Sequence, residues 1–132
     1  MSAVVIQPAG WPRPAGYANG IAAHGRLIAV AGQVGWDPVT ERFAATDMAS
    51  QVAQALRNIA AVLEAAGARP LHAVRLTWYV TDRAAYVAAR PAIGAAYREV
   101  FGAHFPAMSV VEVKGLMEKD ALVEIEATAV VP

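Results

Sequence analysis

Polar and apolar positions alternate singly through several stretches of this chain and recur at helical spacing through two others, and that division predicts its elements. Residues 4–7 read as a short opening strand. Residues 21–23 and 27–34 alternate on either side of His24-Gly25, a glycine-containing turn of the kind that joins antiparallel strands, so a hairpin is expected there. Gly32 inside the second of these strands points to a bulge or a close backbone approach. Trp36-Asp37-Pro38 ends that strand, because proline donates no ladder hydrogen bond. Residues 72–82 place Val74, Leu76, Trp78 and Val80 on one face and Arg75, Thr77, Tyr79 and Thr81 on the other. Two closing strands, neighbours joined through a short charged turn, are expected at residues 108–114 and 121–131.

Helical spacing is clearest after Thr46-Asp47, where Val52, Leu56, Ile59, Leu63 and Ala66 form one apolar stripe. Asp47 suits the N-cap and Gly67 the left-handed position past the last turn. Gln51, Gln54, Arg57, Asn58 and Glu64 are then expected on its solvated side. Asp82 caps a second helix, in which Tyr86, Ile93, Tyr97 and Val100 recur up to Gly102. Pro91 interrupts it, which predicts a kink or a restart with the proline in a first turn.

Strands, helix, strand, helix, strands is the order of an α+β fold with two helices packed on one face of a mainly antiparallel or mixed sheet. The opposite face carries Glu124, Glu126, Arg75, Thr77 and Tyr79, and no third helix remains to cover it. Composition sharpens this point: 57% of residues are hydrophobic, above the usual ~45–50%. A second copy of the chain is therefore expected on the uncovered face. The 132 residues suit one domain. Eleven basic residues balance eleven acidic ones, so nothing favours nucleic acid or anionic lipid. With no cysteine, no signal-peptide pattern in the opening residues and no apolar run of ~18 residues, the expectation is a cytoplasmic protein that does not enter membranes.

Two carboxylates on one face of an otherwise apolar strand are the main chemical clue. Desolvation in a cleft raises a carboxylate's pKa and suits it to general acid or base work, which makes Glu124 the catalytic candidate. The competing reading pairs Glu124 or Glu126 with a cation such as Arg75 or Lys114. His24, His72 and His104 have no metal-ligand spacing, so no metal is expected, and no motif calls for a cofactor. The proline- and glycine-rich loop over residues 8–20 carries Trp11, Arg13, Tyr17 and Asn19, either as ligand contacts or as cover for the core edge.

Six motifs resemble the RidA/YjgF group of reactive-intermediate deaminases, long labelled endoribonuclease L-PSP. They are GYANG (16–20), AVAGQVGWDP (29–38), QALRNIAAVLEAAGA (54–68), VRLTWYVTD (74–82), FPAMSVVEV (105–113) and LVEIEATAV (122–130), in order and nearly end to end. The resemblance implies a chorismate-mutase-like fold assembled as a homotrimer around a central barrel, with small-molecule clefts between subunits. It implies hydrolysis of enamines and imines to 2-oxo acids and ammonia. It assigns Glu124 to the attacking water and Tyr17 to the cleft. The segment that carries a carboxylate-binding arginine in these deaminases reads Pro106-Ala107-Met108-Ser109 here, and a thioether cannot replace a guanidinium fork. Ala31 stands where many members have serine, and the span from Tyr86 to Tyr97 is about one helical turn longer than in the deaminases it resembles.

Two functions therefore stay open. One is an enzyme that hydrolyses an imine, enamine or related C–N bond with Glu124 managing protons and Arg75 or Arg13 anchoring the substrate, yet is no typical 2-imino acid deaminase. The other is a binding protein for a small apolar metabolite in the same clefts. Cleavage of RNA gains no support from a neutral chain without a basic stripe.

Overall fold

A computed structural model describes residues 3–132. In chain order its elements are β1 (Val4–Ile6), β2 (Gly20–Ala22), β3 (Arg26–Val34), α1 (Met48–Ala65), a 3-10 turn (Pro70–His72), β4 (Ala73–Val80), α2 (Arg83–Ala88), α3 (Arg90–Phe101), β5 (Ala107–Glu112) and β6 (Val123–Val131). Four strands form the main sheet in the order β3-β6-β4-β5. Its pairs are antiparallel except β4 with β5, which run parallel because α2 and α3 carry the chain back between them. This is the expected α+β plan, with the second helix divided in two. Among the described residues no helix is long and apolar enough to cross a membrane.

The alternation in β6 governs the packing. Val123, Ile125, Ala127 and Ala129 are buried, and Glu124, Glu126 and Thr128 are half-buried on the far face. Leu76, Trp78 and Val80 of β4 join the buried side, and the fully buried Val52, Leu56, Ile59 and Leu63 of α1 cover it. The Asp47 carboxylate caps α1 by accepting from the Ser50 amide, and Gly67 adopts a left-handed φ of 75° after the last turn. Asp82 caps α2 in the same way through the Ala85 amide. Pro91 lies in the first turn of α3, so the chain restarts its helix there.

Three expectations are corrected. First, the hairpin between residues 21–23 and 27–34 does not form. β2 pairs with β1 in a separate two-stranded sheet, and β3 pairs with β6. Gly25, at a φ of 144°, turns the chain against the end of β6, where any Cβ would overlap the Val131 carbonyl. The turn thus separates two sheets. Second, the two closing strands are not neighbours, since β4 lies between β5 and β6.

Third, Gln51 and Asn58 are not on the solvated side of α1; they are 1% and 3% exposed. Both serve backbone groups at or beyond the ends of strands. Gln51 Nε2 donates to the carbonyls of Ala45 (3.1 Å) and Asp120 (3.0 Å), and its Oε1 accepts from the Leu122 amide (2.7 Å). Asn58 Nδ2 donates to the carbonyls of Val34 (3.1 Å) and Trp36 (3.0 Å). These two amides fasten both flanking loops to the helix.

Each buried backbone group left without a partner costs about 1–3 kcal/mol. Gln51→Leu is therefore expected to lower the free energy of unfolding by at least about 2 kcal/mol in urea titration. Arg57→Ala, at an exposed position of the same helix, is expected to change it by no more than about 0.5 kcal/mol.

Candidate functional site

The five residues singled out for the site fall into two groups on opposite faces of the sheet. Met108 pairs with Leu76 across the β4–β5 ladder and shares its face with the helices. Glu124 pairs with Tyr79 across the β4–β6 ladder and belongs to the open face. Within one chain, then, Tyr17 and Met108 come together, while Glu124, Ala31 and Arg75 lie on the other side.

Backbone pairing brings Tyr17 to Met108. The Ala18 amide donates to the Pro106 carbonyl at 3.0 Å, and Ala18 forms an isolated parallel bridge with Ala107 at the start of β5. The rest of the loop is tied down by Asn19 Nδ2, which donates to Gln7 Oε1 at 2.9 Å, and by Gln7 Nε2, which donates to the Trp11 and Pro12 carbonyls. Tyr17 and Met108 then line a pocket of about 760 Å³ at the open edge of β5, closed on its far side by Tyr86, Arg90, Gly94 and Arg98. Its floor is aromatic. Tyr97 stacks on Phe101 and Phe105 at 4.8 and 5.4 Å between ring centres, and Trp78 leans on Tyr97 at 6.3 Å. Burial pushes the Tyr97 phenol well above the ordinary range, and its hydroxyl donates to the His104 carbonyl at 2.6 Å. His104 Nε2 lies 2.7 Å from the Ala73 carbonyl, an acceptor only, so that nitrogen carries the proton.

The open face is organised around Glu124. The register of β3 against β6 shifts between Val30 and Gln33, and Gly32 sits in that bulge. A Cβ on Gly32 would overlap the Glu124 carboxylate, so the glycine makes room for that side chain to lie across the backbone. Ala31 is exposed next to it. Glu126 is engaged elsewhere, accepting from the Tyr79 hydroxyl at 2.6 Å. That bond, ahead of slight desolvation and the charges of Glu126 and Glu124, raises the Tyr79 pKa, while the Arg75 cation opposes the rise. Of the two glutamates, Glu124 is the one left clear of that partner.

Several pocket residues were not legible as site residues. Trp78 and Tyr97 read as core by their spacing, and only the position of α3 over the sheet edge makes them pocket walls. Arg98 belongs to no motif that marks it as a site residue. The available signal was Arg90, Gly94 and Arg98 at intervals of four, one stripe with a gap at its middle. Among the described residues no three His, Cys, Asp or Glu side chains come together as a metal site.

Fold and motifs together define a member of the Rid-type α+β proteins, and comparison with known proteins agrees. The family described as Endoribonuclease L-PSP matches residues 12–131. A RutC family protein of Pyrococcus horikoshii is 39% identical over 119 residues, 89% of this chain and 90% of that one. The 2-iminobutanoate/2-iminopropanoate deaminase of Escherichia coli K12 is 38% identical over 109 residues, 80% of each chain. Among solved structures, a protein of unknown function of the conserved Rid family from Yersinia pestis, YyfB, superposes with a TM-score of 0.86 at 33% identity, over 99% of this chain and 100% of that one. The chain belongs to the RidA/YjgF (endoribonuclease L-PSP) family.

A phenol whose pKa is higher folded than the ordinary ~10 of an unfolded chain holds its proton more tightly in the folded state. Its stabilising contribution is complete below pH ~10 and declines as pH rises beyond that toward the folded value. The urea midpoint is therefore expected to be level from about pH 8 to 9 and to fall above about pH 10. Tyr97→Phe starts lower, having lost the bond to His104, but falls less steeply; an equal slope would show that Tyr97 is not the group responsible.

Proposed function

We propose that this chain hydrolyses an imine or enamine to a carbonyl compound and ammonia, in clefts formed where copies of the chain meet. The observation that carries this reading is the Glu124 carboxylate held over Gly32 on the sheet face that the helices leave uncovered. Tyr17 and Met108 lie on the other face at the β5 edge, so the two halves join when the open face of one copy packs against the pocket edge of its neighbour. A homotrimer, the assembly implied by the resemblance to the deaminases, achieves this three times.

In the reaction water adds to the C=N carbon, passing its proton through Glu124 to the nitrogen. The resulting carbinolamine collapses, ammonia leaves, and the carbonyl forms. Glu124 thus acts first as base and then as acid, taking the proton from water and returning it to the leaving nitrogen. Tyr17 covers the cleft. Met108 gives an apolar surface where the carboxylate of a short 2-imino acid would need a cation, so such substrates are expected to be poor. Arg75 lies on the Glu124 side of the sheet and is available to a substrate reaching across the interface. The deaminase name of the E. coli relative supports the reaction class. A binding role without chemistry is favoured by one specific feature, the replacement of both polar groups at Met108 and Ala31 by apolar ones.

Ammonia release from freshly generated 2-iminopropanoate measures the difference. The wild-type rate is expected to be at least about 100-fold below that of an arginine-containing relative, since a charged pair of hydrogen bonds is missing. Met108→Arg is expected to raise it, and Glu124→Gln to abolish the gain. A wild-type rate equal to the relative's would overturn the assignment at Met108.

Solution mass tests the shared cleft: a trimer is expected by light scattering across a wide concentration range. A stable monomer with full ligand binding would remove the need for a neighbour's Glu124.

A further inference from the structure

The pocket at the β5 edge contains three features that the hydrolysis of a C–N bond does not use. Trp78 is 3% exposed, and its indole N–H has no hydrogen-bond partner among the described residues. A buried donor left unmatched is costly, and Trp78 forms part of the pocket wall, so an occupant of the pocket can supply the missing acceptor. Arg90 and Arg98 are the second feature. Both are exposed and line the same pocket. Arg90 rests over the Tyr86 ring at 5.9 Å, and Arg98 folds back along the helix over Gly94, where a Cβ would come within 3.3 Å of its guanidinium. Among the described residues, guanidinium hydrogen bonds are made by Arg26 and Arg57; the two pocket arginines keep their donors. The third feature is Gly94 itself. It lies one turn from each arginine, and its missing side chain lets the Arg98 guanidinium lie close against the helix on the stripe it shares with Arg90.

From these observations we infer that α3 supplies the anion anchor that Met108 lacks. The ligand is a carboxylate bearing an aromatic group. Its carboxylate sits between Arg90 and Arg98 at the pocket mouth, where planar guanidinium groups match its geometry. Its ring lies against Trp78, Phe105 and Met108. The pocket's ~760 Å³ falls in the range typical of drug-sized ligands, roughly 300–1,000 Å³, and a three- or four-carbon acid would leave most of it empty. Charge at one end and aromatic surface at the other orient such a ligand in one direction, with its middle facing the sheet edge and Tyr17. The inference rests on the proposed function only in taking Tyr17 and Met108 as ligand-lining; it requires no chemistry.

Calorimetric titration of the assembled protein with 3-phenylpropanoate tests it, with 3-phenylpropanamide as the neutral control. Saturable binding of the acid is expected below about 1 mM, with the amide at least about tenfold weaker. Arg90→Gln and Arg98→Gln are each expected to weaken the acid about tenfold and to leave the amide unchanged. Both positions are exposed, so folding is expected to survive; circular dichroism confirms it. The Trp78 indole N–H resonance, assigned by its loss in Trp78→Phe, is expected to shift on binding. No saturable binding of the acid up to about 10 mM, or equal affinities in wild type and the Arg90→Gln/Arg98→Gln double variant, would overturn the inference. Glu124→Gln separates it from the catalytic reading. Retained binding with lost ammonia release leaves both standing. Lost arginine dependence with retained Glu124-dependent turnover removes the α3 anchor alone. Arginine-dependent binding without turnover of any imine keeps the anchor and removes the catalysis.

Discussion

Everything about this fold depends on β6 having two faces of opposite chemistry while lying in the middle of the sheet. A central strand must satisfy its backbone on both edges, and β6 does so with β3 on one side and β4 on the other. Its apolar face must be covered, which fixes the side on which α1 and α3 pack. Its carboxylate face is then committed to be the one without helices. The same alternation that builds the core therefore decides where the acid is presented. The β-bulge at Gly32 refines the result by letting one carboxylate settle against backbone while its neighbour is taken by a tyrosine.

Local signals in the sequence were read correctly because their physics is local. Asp47, Asp82 and Gly67 act on the nearest turn of helix, and Pro91 acts on its own amide and the turn before it. Gly32 signalled a close approach that proved to involve Glu124. Pairing was harder. The residues around His24-Gly25 contain all the marks of a hairpin, but strand partners are chosen by the whole sheet, and β6 offers β3 a longer partner than three residues of β2 could. Gln51 and Asn58 show a different limit. A polar residue beside an apolar stripe looks solvated when its hydrogen-bond partners are carbonyls of loops distant in sequence.

The candidate site was legible in part for the same reasons. Tyr17, Met108 and Glu124 could be named from motifs, but not that the sheet divides them between its faces within one chain. That division is a register property: a one-residue slip of either ladder would move a side chain to the opposite face. The aromatic floor and the arginines of α3 were missed because they become pocket walls only when the restarted helix crosses the edge strand.

The clip between Ala18 and β5 has a consequence for how such a protein changes over time. It is made by main-chain groups, the Ala18 amide and the Pro106 carbonyl, so it does not depend on the side chain that precedes it. The residue at position 17 can be exchanged while its Cα stays in place. The loop behaves as a socket with interchangeable fittings, able to present a different side chain to the pocket without a new fold.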